Sequence, residues 1–298
     1  MGLIYAYILE VEEAYLLKEI RTSHTWEDMK TQLVFTSDQL PPLLTSTRHV
    51  EIDINPYVVE SSGTGKGGHF CILTKRWKHD PPPFESRGVG GFISGLLAKF
   101  KFFQWLLVKL FNATPSVIPK FIKMGLDSLV HQGYVDKSYN VLNLGSVNDV
   151  RAIAVEFAFD IKDTVSKIDQ LLDIISSYKT RDGKGWWMTG PIGVRFVAAA
   201  DAYLAPQYGR TTAMAELDML CDVDHSTELL KEIESKMTVD PTVRVHWGLD
   251  LDGLTRAQVE KTYPKFNEWL TVHRMLNSSG MFNSPFTARL GISTPKGA

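Results

Sequence analysis

Hydrophobic and polar residues follow two rhythms along this chain, and each predicts a kind of element. Gly2–Val11 (GLIYAYILEV) is apolar on both alternating faces, Ile4, Ala6 and Ile8 against Tyr5, Tyr7 and Leu9. That pattern predicts a strand buried on both sides, which needs covering elements the following segments do not supply. Thr25 opens a short helix, with Asp28 three residues on and Met29 and Leu33 on one face. Residues 41–48 (PPLLTSTR) read as a loop. Val50–Val59 and Phe70–Arg76 read as strands, joined by the glycine-rich hairpin connection Ser61–Gly68. The run VEFAFDI from Val155 predicts a strand, and a helix follows with Asp163 as its cap and Val165, Ile168, Leu171, Leu172 and Ile175 on one side. Further strands are expected around Val194–Ala198 and at Ala213–Asp218, with a turn at Ala205–Gly209 between them. Ser226 caps a helix carrying Leu229, Leu230 and Ile233, and Thr255 with Gln258 makes a capping box. The last helix is interrupted at Pro264 and carries Phe266, Trp269, Leu270 and Leu276 towards Gly280. The whole predicts an α+β fold: a large antiparallel sheet flanked by helices, with a C-terminal helical segment.

One stretch stands apart. Phe92–Phe111 is dense in Phe, Trp and Leu, but Lys99, Lys101 and Lys109 interrupt it. A spanning helix needs roughly 20 residues almost free of charge, so a transmembrane reading fails. Two readings stay open: a peripheral membrane or lipid-facing helix, and a core helix or dimer surface.

The chain has 298 residues, 44% hydrophobic and 22% charged, with a net charge of −2. That is enough to bury a large core, and it gives no basic footprint for nucleic acid. Two cysteines, Cys71 and Cys221, make no disulfide framework and read as small apolar residues. The N-terminus has no basic region and no small-residue cleavage site, so no signal peptide is read there; a cytoplasmic or membrane-associated location is expected.

Few motifs carry chemistry. Ser61–Gly67 imitates a phosphate loop but has Gly67 where Ser or Thr should follow Lys66. Asp218, Asp222 and Asp224 fit no calcium loop, and no metal site is expected. Arg195 is unusual because it interrupts the apolar strand Pro191–Ala200. A buried charge needs a partner, so Arg195 either meets a ligand or forms an ion pair, with Asp201 the candidate partner. His246, in His246-Trp247-Gly248 at a strand end, is either a presented reactive group or a satisfied core histidine.

Several segments in order resemble the aldonolactone oxidase branch of the vanillyl-alcohol-oxidase-type flavoproteins. Gly2–Val11 resembles the strand that closes the family's FAD domain, and His49–Tyr57 (HVEIDINPY) the first strand of its cap. Val155–Ile175 is similar to the next cap strand and helix, Pro191–Arg210 to the substrate strand, and Val243–Gly248 (VRVHWG) to the His-Trp-Gly segment. Tyr263–Gly291 resembles the terminal helix and its Asn-x-x-Gly-x-Phe turn. The resemblance implies three parts: a closing strand over 1–20, a cap or substrate domain over 21–240, and a C-terminal segment over 241–298 that returns to the flavin domain.

It also implies a FAD-dependent oxidation of an alcohol to a carbonyl, with dioxygen as acceptor and hydrogen peroxide released. Arg195 and His246 would be catalytic, and His246, Trp247, Gly248 and Asn283 would contact the flavin. FAD would be held mostly by an N-terminal domain outside this chain, on a partner chain or in a longer product; a homo-oligomer is a further possibility. Gly67-Gly68-His69 imitates a flavin-attachment pattern but lies within the cap, and is discounted. Two departures bear on the substrate. The family's Glu two residues before the arginine is Gly193 here, and the Lys after His-Trp-Gly is Leu249. With Phe92–Phe111 added, these shift the expectation from a sugar lactone towards a larger apolar alcohol such as a sterol, or towards a non-catalytic binding protein that keeps the cap fold.

Overall fold

The computed structural model describes residue 8 and residues 10–35, 39–60, 67–80, 101–142, 151–249 and 251–294. Its frame is an eight-stranded sheet: β1 (Leu16–Thr25), β2 (His49–Glu60), β3 (Gly67–His79), β4 (His131–Lys137), β5 (Ala152–Asp160), β6 (Ile192–Val197), β7 (Thr212–Leu220) and β8 (Arg244–Val245). The strand order is β4-β1-β3-β2-β6-β7-β5-β8, and each neighbouring pair is antiparallel. The expected antiparallel α+β architecture is what the chain adopts.

Strand register sorts the side chains by face, because alternate residues point to opposite sides. Ile52 and Ile54 on β2, Ile192 and Val194 on β6, Ala215 and Leu217 on β7, and Phe157 and Phe159 on β5 share one face and are fully buried. Helices pack against the strands, the longer of them Trp26–Gln32 against β1 and β3, Ile118–Asp127 against β2 and β3, Thr164–Ser177 against β2 and β5, and Ser226–Met237 against β5. The Thr164–Ser177 helix buries Ile168, Leu171, Leu172 and Ile175, four of the five positions expected from its spacing.

The capping boxes at Thr25/Asp28 and Thr255/Gln258 are both formed. Asp163 stands at the N-cap of Thr164–Ser177 as expected but makes no side-chain cap hydrogen bond; Asp160 accepts from the Lys162 amide and starts a short 3-10 turn ahead of the helix. One expected cap moves. His225, in the left-handed region at φ 63, caps the Ser226–Met237 helix, and Ser226 is its first residue. Pro264 does end one helix, Arg256–Thr262, before the next begins at Phe266. Glu60 pairs with Gly67 across β2 and β3; of the expected hairpin connection Ser61–Gly68, residues 61–66 lie outside the described residues, and Gly67 and Gly68 belong to β3.

The strand expected within Gly2–Val11 falls mostly outside the described residues; Ile8 is fully exposed. Of Phe92–Phe111, residues 92–100 are likewise outside. From 101 a helix runs Lys101–Ala113, burying Val108 and Phe111 and exposing Trp105, Leu106 and Leu110. Phe111 meets Phe121 edge-on at 5.5 Å, which seats this helix beside Ile118–Asp127, over β2 and β3. Among the described residues no helix is long and apolar enough to cross a membrane. The boundary expected at residue 20 lies inside β1, and β8, from the segment after 240, pairs with β5. Cys71 is buried and Cys221 half-buried, and neither is in a disulfide.

The core prediction is direct. Phe157→Ala, at a fully buried position between β7 and β8, should lower unfolding stability by about 3–5 kcal/mol in urea titrations with the slope unchanged.

Candidate active site

The other face of the sheet is charged. Its members come from a simple spacing: Glu51 and Asp53 on β2, and Glu216 and Asp218 on β7, each pair two residues apart and so on one side of its strand. Register aligns them into rows. In one row Asp53 faces Gly193, Gly193 faces Glu216, and Glu216 faces Glu156. In the next row Thr74 faces Glu51, Glu51 faces Arg195, and Arg195 faces Met214.

The guanidinium groups tie these rows together. Arg195 forms ion pairs with Glu216 and, at 3.6 Å, with Glu51. Glu51 also accepts from both terminal nitrogens of Arg76 at 3.3 Å, and Arg76 Nε donates to Glu19 at 2.5 Å. Glu19 takes further contacts from Arg21 at 3.0 Å and His131 at 3.2 Å. The network thus runs across six strands from β4 to β7, and it answers the question left open at Arg195. Its partners are Glu51 and Glu216 rather than Asp201, and its side chain is 48% exposed rather than buried. The strand is apolar on one face only, and Arg195 lies on the other.

His246 follows β8 directly. Its amide donates to the Glu156 carbonyl at 3.0 Å, and its Nδ1 lies 3.4 Å from the Glu156 carboxylate. The ring is 47% exposed, so it is a presented group, not a core histidine. β8 is held from behind by Tyr263, whose hydroxyl accepts from the Val245 amide and donates to the Val245 carbonyl. Trp247 donates to the Leu204 carbonyl and packs on Tyr263 at 5.1 Å. A Cβ on Gly248 would meet the His246 ring at 3.4 Å. Asn283 has its whole amide engaged, with Asn277, the Thr294 amide and the Thr294 carbonyl. Of the residues expected around a flavin, His246 alone offers an open side chain on the charged face; Trp247 and Gly248 position it, and Asn283 closes the Asn277–Phe282 turn some distance along the chain.

Burial and charge act on these carboxylates in opposite directions. Burial pushes Glu19 up, but the hydrogen bond from His131 and the charges of Arg21 and Arg76 outweigh it and hold the group at about 2. Asp53 goes the other way: burial and the neighbouring Glu51 charge raise it to about 7, with Arg21, Arg195 and Arg76 opposing. Glu156 is raised by burial against the pull of Arg195 and His246, and Asp218 by burial against Arg195. Among the described residues no group of three or more His, Cys, Asp or Glu is placed to hold a metal ion.

Comparison with known proteins gives the family. The family described as D-arabinono-1,4-lactone oxidase matches residues 71–290, well over half of the chain. The chain belongs to this family of FAD-linked oxidoreductases. It is 22% identical over 269 residues to L-gulono-1,4-lactone dehydrogenase of Mycobacterium tuberculosis strains CDC 1551 / Oshkosh and ATCC 25618 / H37Rv, covering 88% of this chain and 56% of that protein. Among solved structures it resembles cholesterol oxidase from B. sterolicum, with a TM-score of 0.59 at 11% identity over 93% of this chain and 60% of that one. A solvent-stable cholesterol oxidase gives a TM-score of 0.61 at 12% identity with the same coverage. The structural likeness is one of fold. The chain spans little more than half the length of the relatives it matches.

A FAD molecule has two ends with different needs. Its ring system needs a cation or donor nearby, and the half-exposed Arg195 and His246 offer such groups. Its pyrophosphate needs backbone amides or cations free of acidic neighbours. The face around Arg195 carries Glu51, Asp53, Glu156, Glu216 and Asp218, which suits the ring end alone.

Glu19 gives a pH prediction with a definite sign. Its folded value of about 2 lies below the usual 4.5, so its contribution is present above about pH 4.5 and is lost as pH falls towards 2. Urea unfolding of the wild type between pH 6 and pH 3 should show a steeper loss of stability than Glu19→Gln. Parallel curves would remove Glu19 from that role.

Proposed function

We propose that this chain forms the substrate-side face of a FAD-dependent oxidoreductase that converts the CH–OH group of an aldonolactone to a carbonyl. The observation that carries the reading is Arg195: half exposed, at the centre of a charged sheet face, and held by carboxylates on both neighbouring strands. When bound, the flavin supplies the hydride acceptor. The rest falls to residues of this chain. Arg195 donates to the hydroxyl oxygen of the substrate and steadies the negative charge that grows there as the proton leaves. Glu51 and Glu216 keep the guanidinium in place, so it need not reorganise during the reaction. His246, oriented by Glu156 and by the pinned β8, provides a second polar contact at the other end of the row. FAD's phosphates are held by residues other than those of the charged face.

The substrate class follows from the polarity of the site. The described part of Phe92–Phe111 packs beside Ile118–Asp127, and the two buried residues it contributes go into the core rather than to the Arg195 face. The face itself is rich in carboxylates and guanidinium groups that match a polyhydroxylated lactone. This favours the lactone over the larger apolar alcohol that Gly193 and Leu249 first indicate. The family's name specifies an oxidase and that of the mycobacterial relative a dehydrogenase; we take dioxygen as the acceptor, with hydrogen peroxide as the co-product.

The test uses the full-length protein loaded with FAD. Mixed anaerobically, D-arabinono-1,4-lactone and L-gulono-1,4-lactone should bleach the flavin and cholesterol should not; bleaching by the sterol alone would overturn the substrate assignment. On admitting air, peroxide should form in step with lactone consumed. Arg195→Ala should slow bleaching by about 10²–10³-fold, with Arg195→Lys in between. Equal rates in all three would take Arg195 out of the chemistry.

A further inference from the structure

Oxidising an alcohol by hydride removal also requires that the hydroxyl proton go to a base. On the charged face, most carboxylates are already engaged. Glu19 is held by two arginines and a histidine, Glu51 by Arg76 and Arg195, Glu216 by Arg195, and Glu156 lies against His246. Asp53 and Asp218 make no hydrogen bond or ion pair with any described residue, and of the two only Asp53 lies opposite Gly193, where it is not sealed off. It sits opposite Gly193, two residues from Arg195, and its Oδ1 lies 3.7 Å from where a Cβ on residue 193 would be. The missing side chain therefore leaves an opening in the row, with a carboxylate on one wall and the Arg195 guanidinium next along the same strand. A side-chain carboxylate at 193 would stand between Asp53 and Glu216 and repel both. Gly193 and Asp53 are in this sense one feature, a proton acceptor shifted by one strand.

We propose that Asp53 is the catalytic base of this site, taking the hydroxyl proton of a substrate seated over Gly193 while Arg195 holds the oxygen. The O–H bond breaks and an O–H bond forms on the Asp53 carboxylate. The electron pair left on oxygen forms the new C=O bond, and the C–H pair departs as hydride to the flavin. The proposal rests on the alcohol-oxidising reading given above. The charges around Asp53 support it. Glu51 on its own strand, Arg21 on β1, Arg76 on β3 and Arg195 on β6 act on it, Glu216 on β7 stands across Gly193, and its position near 7 suits a base working at neutral pH.

Three measurements test the assignment. In the FAD-loaded full-length protein, Asp53→Asn should slow anaerobic flavin bleaching by lactone about 10²–10⁴-fold and abolish the rise of the rate through about pH 7. Asp53→Asn combined with Gly193→Glu, which returns a carboxylate across the gap, should recover part of that loss. Independently of turnover, ¹³C-carboxyl labelling of aspartate should show one resonance titrating near pH 7 that vanishes in Asp53→Asn. Because a raised folded value costs stability above the unfolded one, Asp53→Asn should also melt higher than wild type at pH 8 and not at pH 4. A slow variant that is more stable is not a misfolded one. Wild-type protein bleached by lactone, with Asp53→Asn bleached as fast, overturns the base assignment alone. A wild-type holoprotein that no lactone or other alcohol reduces overturns the reading of the site and takes this proposal with it. An aspartate spectrum with every carboxyl titrating below pH 5 also rejects it.

Discussion

A carboxylate removed from water must be met by cations, and in this protein that requirement organises a whole sheet face. Glu19 is 1% exposed, and three side chains from three strands converge on it. One of them, Arg76, is shared with Glu51, and Glu51 is shared with Arg195. The position of the exposed arginine at the centre of the candidate site is thus set by a chain of contacts that begins in the buried part of β1. Breaking such a network by removing one member leaves its neighbours uncompensated, which costs far more than an exposed pair is worth.

The same face shows how a row of like charges is kept apart. Cross-strand neighbours lie about 4.5–5.5 Å apart, so four acidic side chains in one row would crowd like charges. Asp53, Glu216 and Glu156 occupy that row, and Gly193 is its gap. A bare backbone at 193 and a carboxylate at 53 are two sides of one electrostatic balance.

This explains which parts of the molecule were legible in the sequence. The strands that obey alternation, β2, β3, β5, β6 and β7, were all expected near their observed places, as were both capping boxes. β1 was not, because its second inward position is Glu19; a buried charge breaks the apolar rhythm that strand reading depends on. β8 shows in the sequence only as the His-Trp-Gly segment, since two residues are too few for any rhythm. Arg195 and His246 stood out locally, one as a charge in an apolar run and one at a strand end. Their partners lie 21 to 144 positions away along the chain for Arg195 and 90 for His246, and only register could bring them together. Yet the alternate acids at Glu51/Asp53 and Glu216/Asp218 were visible throughout, and reading them as one face would have found the site.

His246 owes its place to a two-residue strand whose backbone is clasped by Tyr263, and Trp247 beside it leans on the same ring. Tyr263 in turn is the hinge point between the helices Arg256–Thr262 and Phe266–Leu276. The terminal helices therefore act as a jig: they never reach the charged face, yet they decide where its histidine stands. Drift in that last quarter of the chain would register as a misaimed imidazole, well before it registered as lost stability.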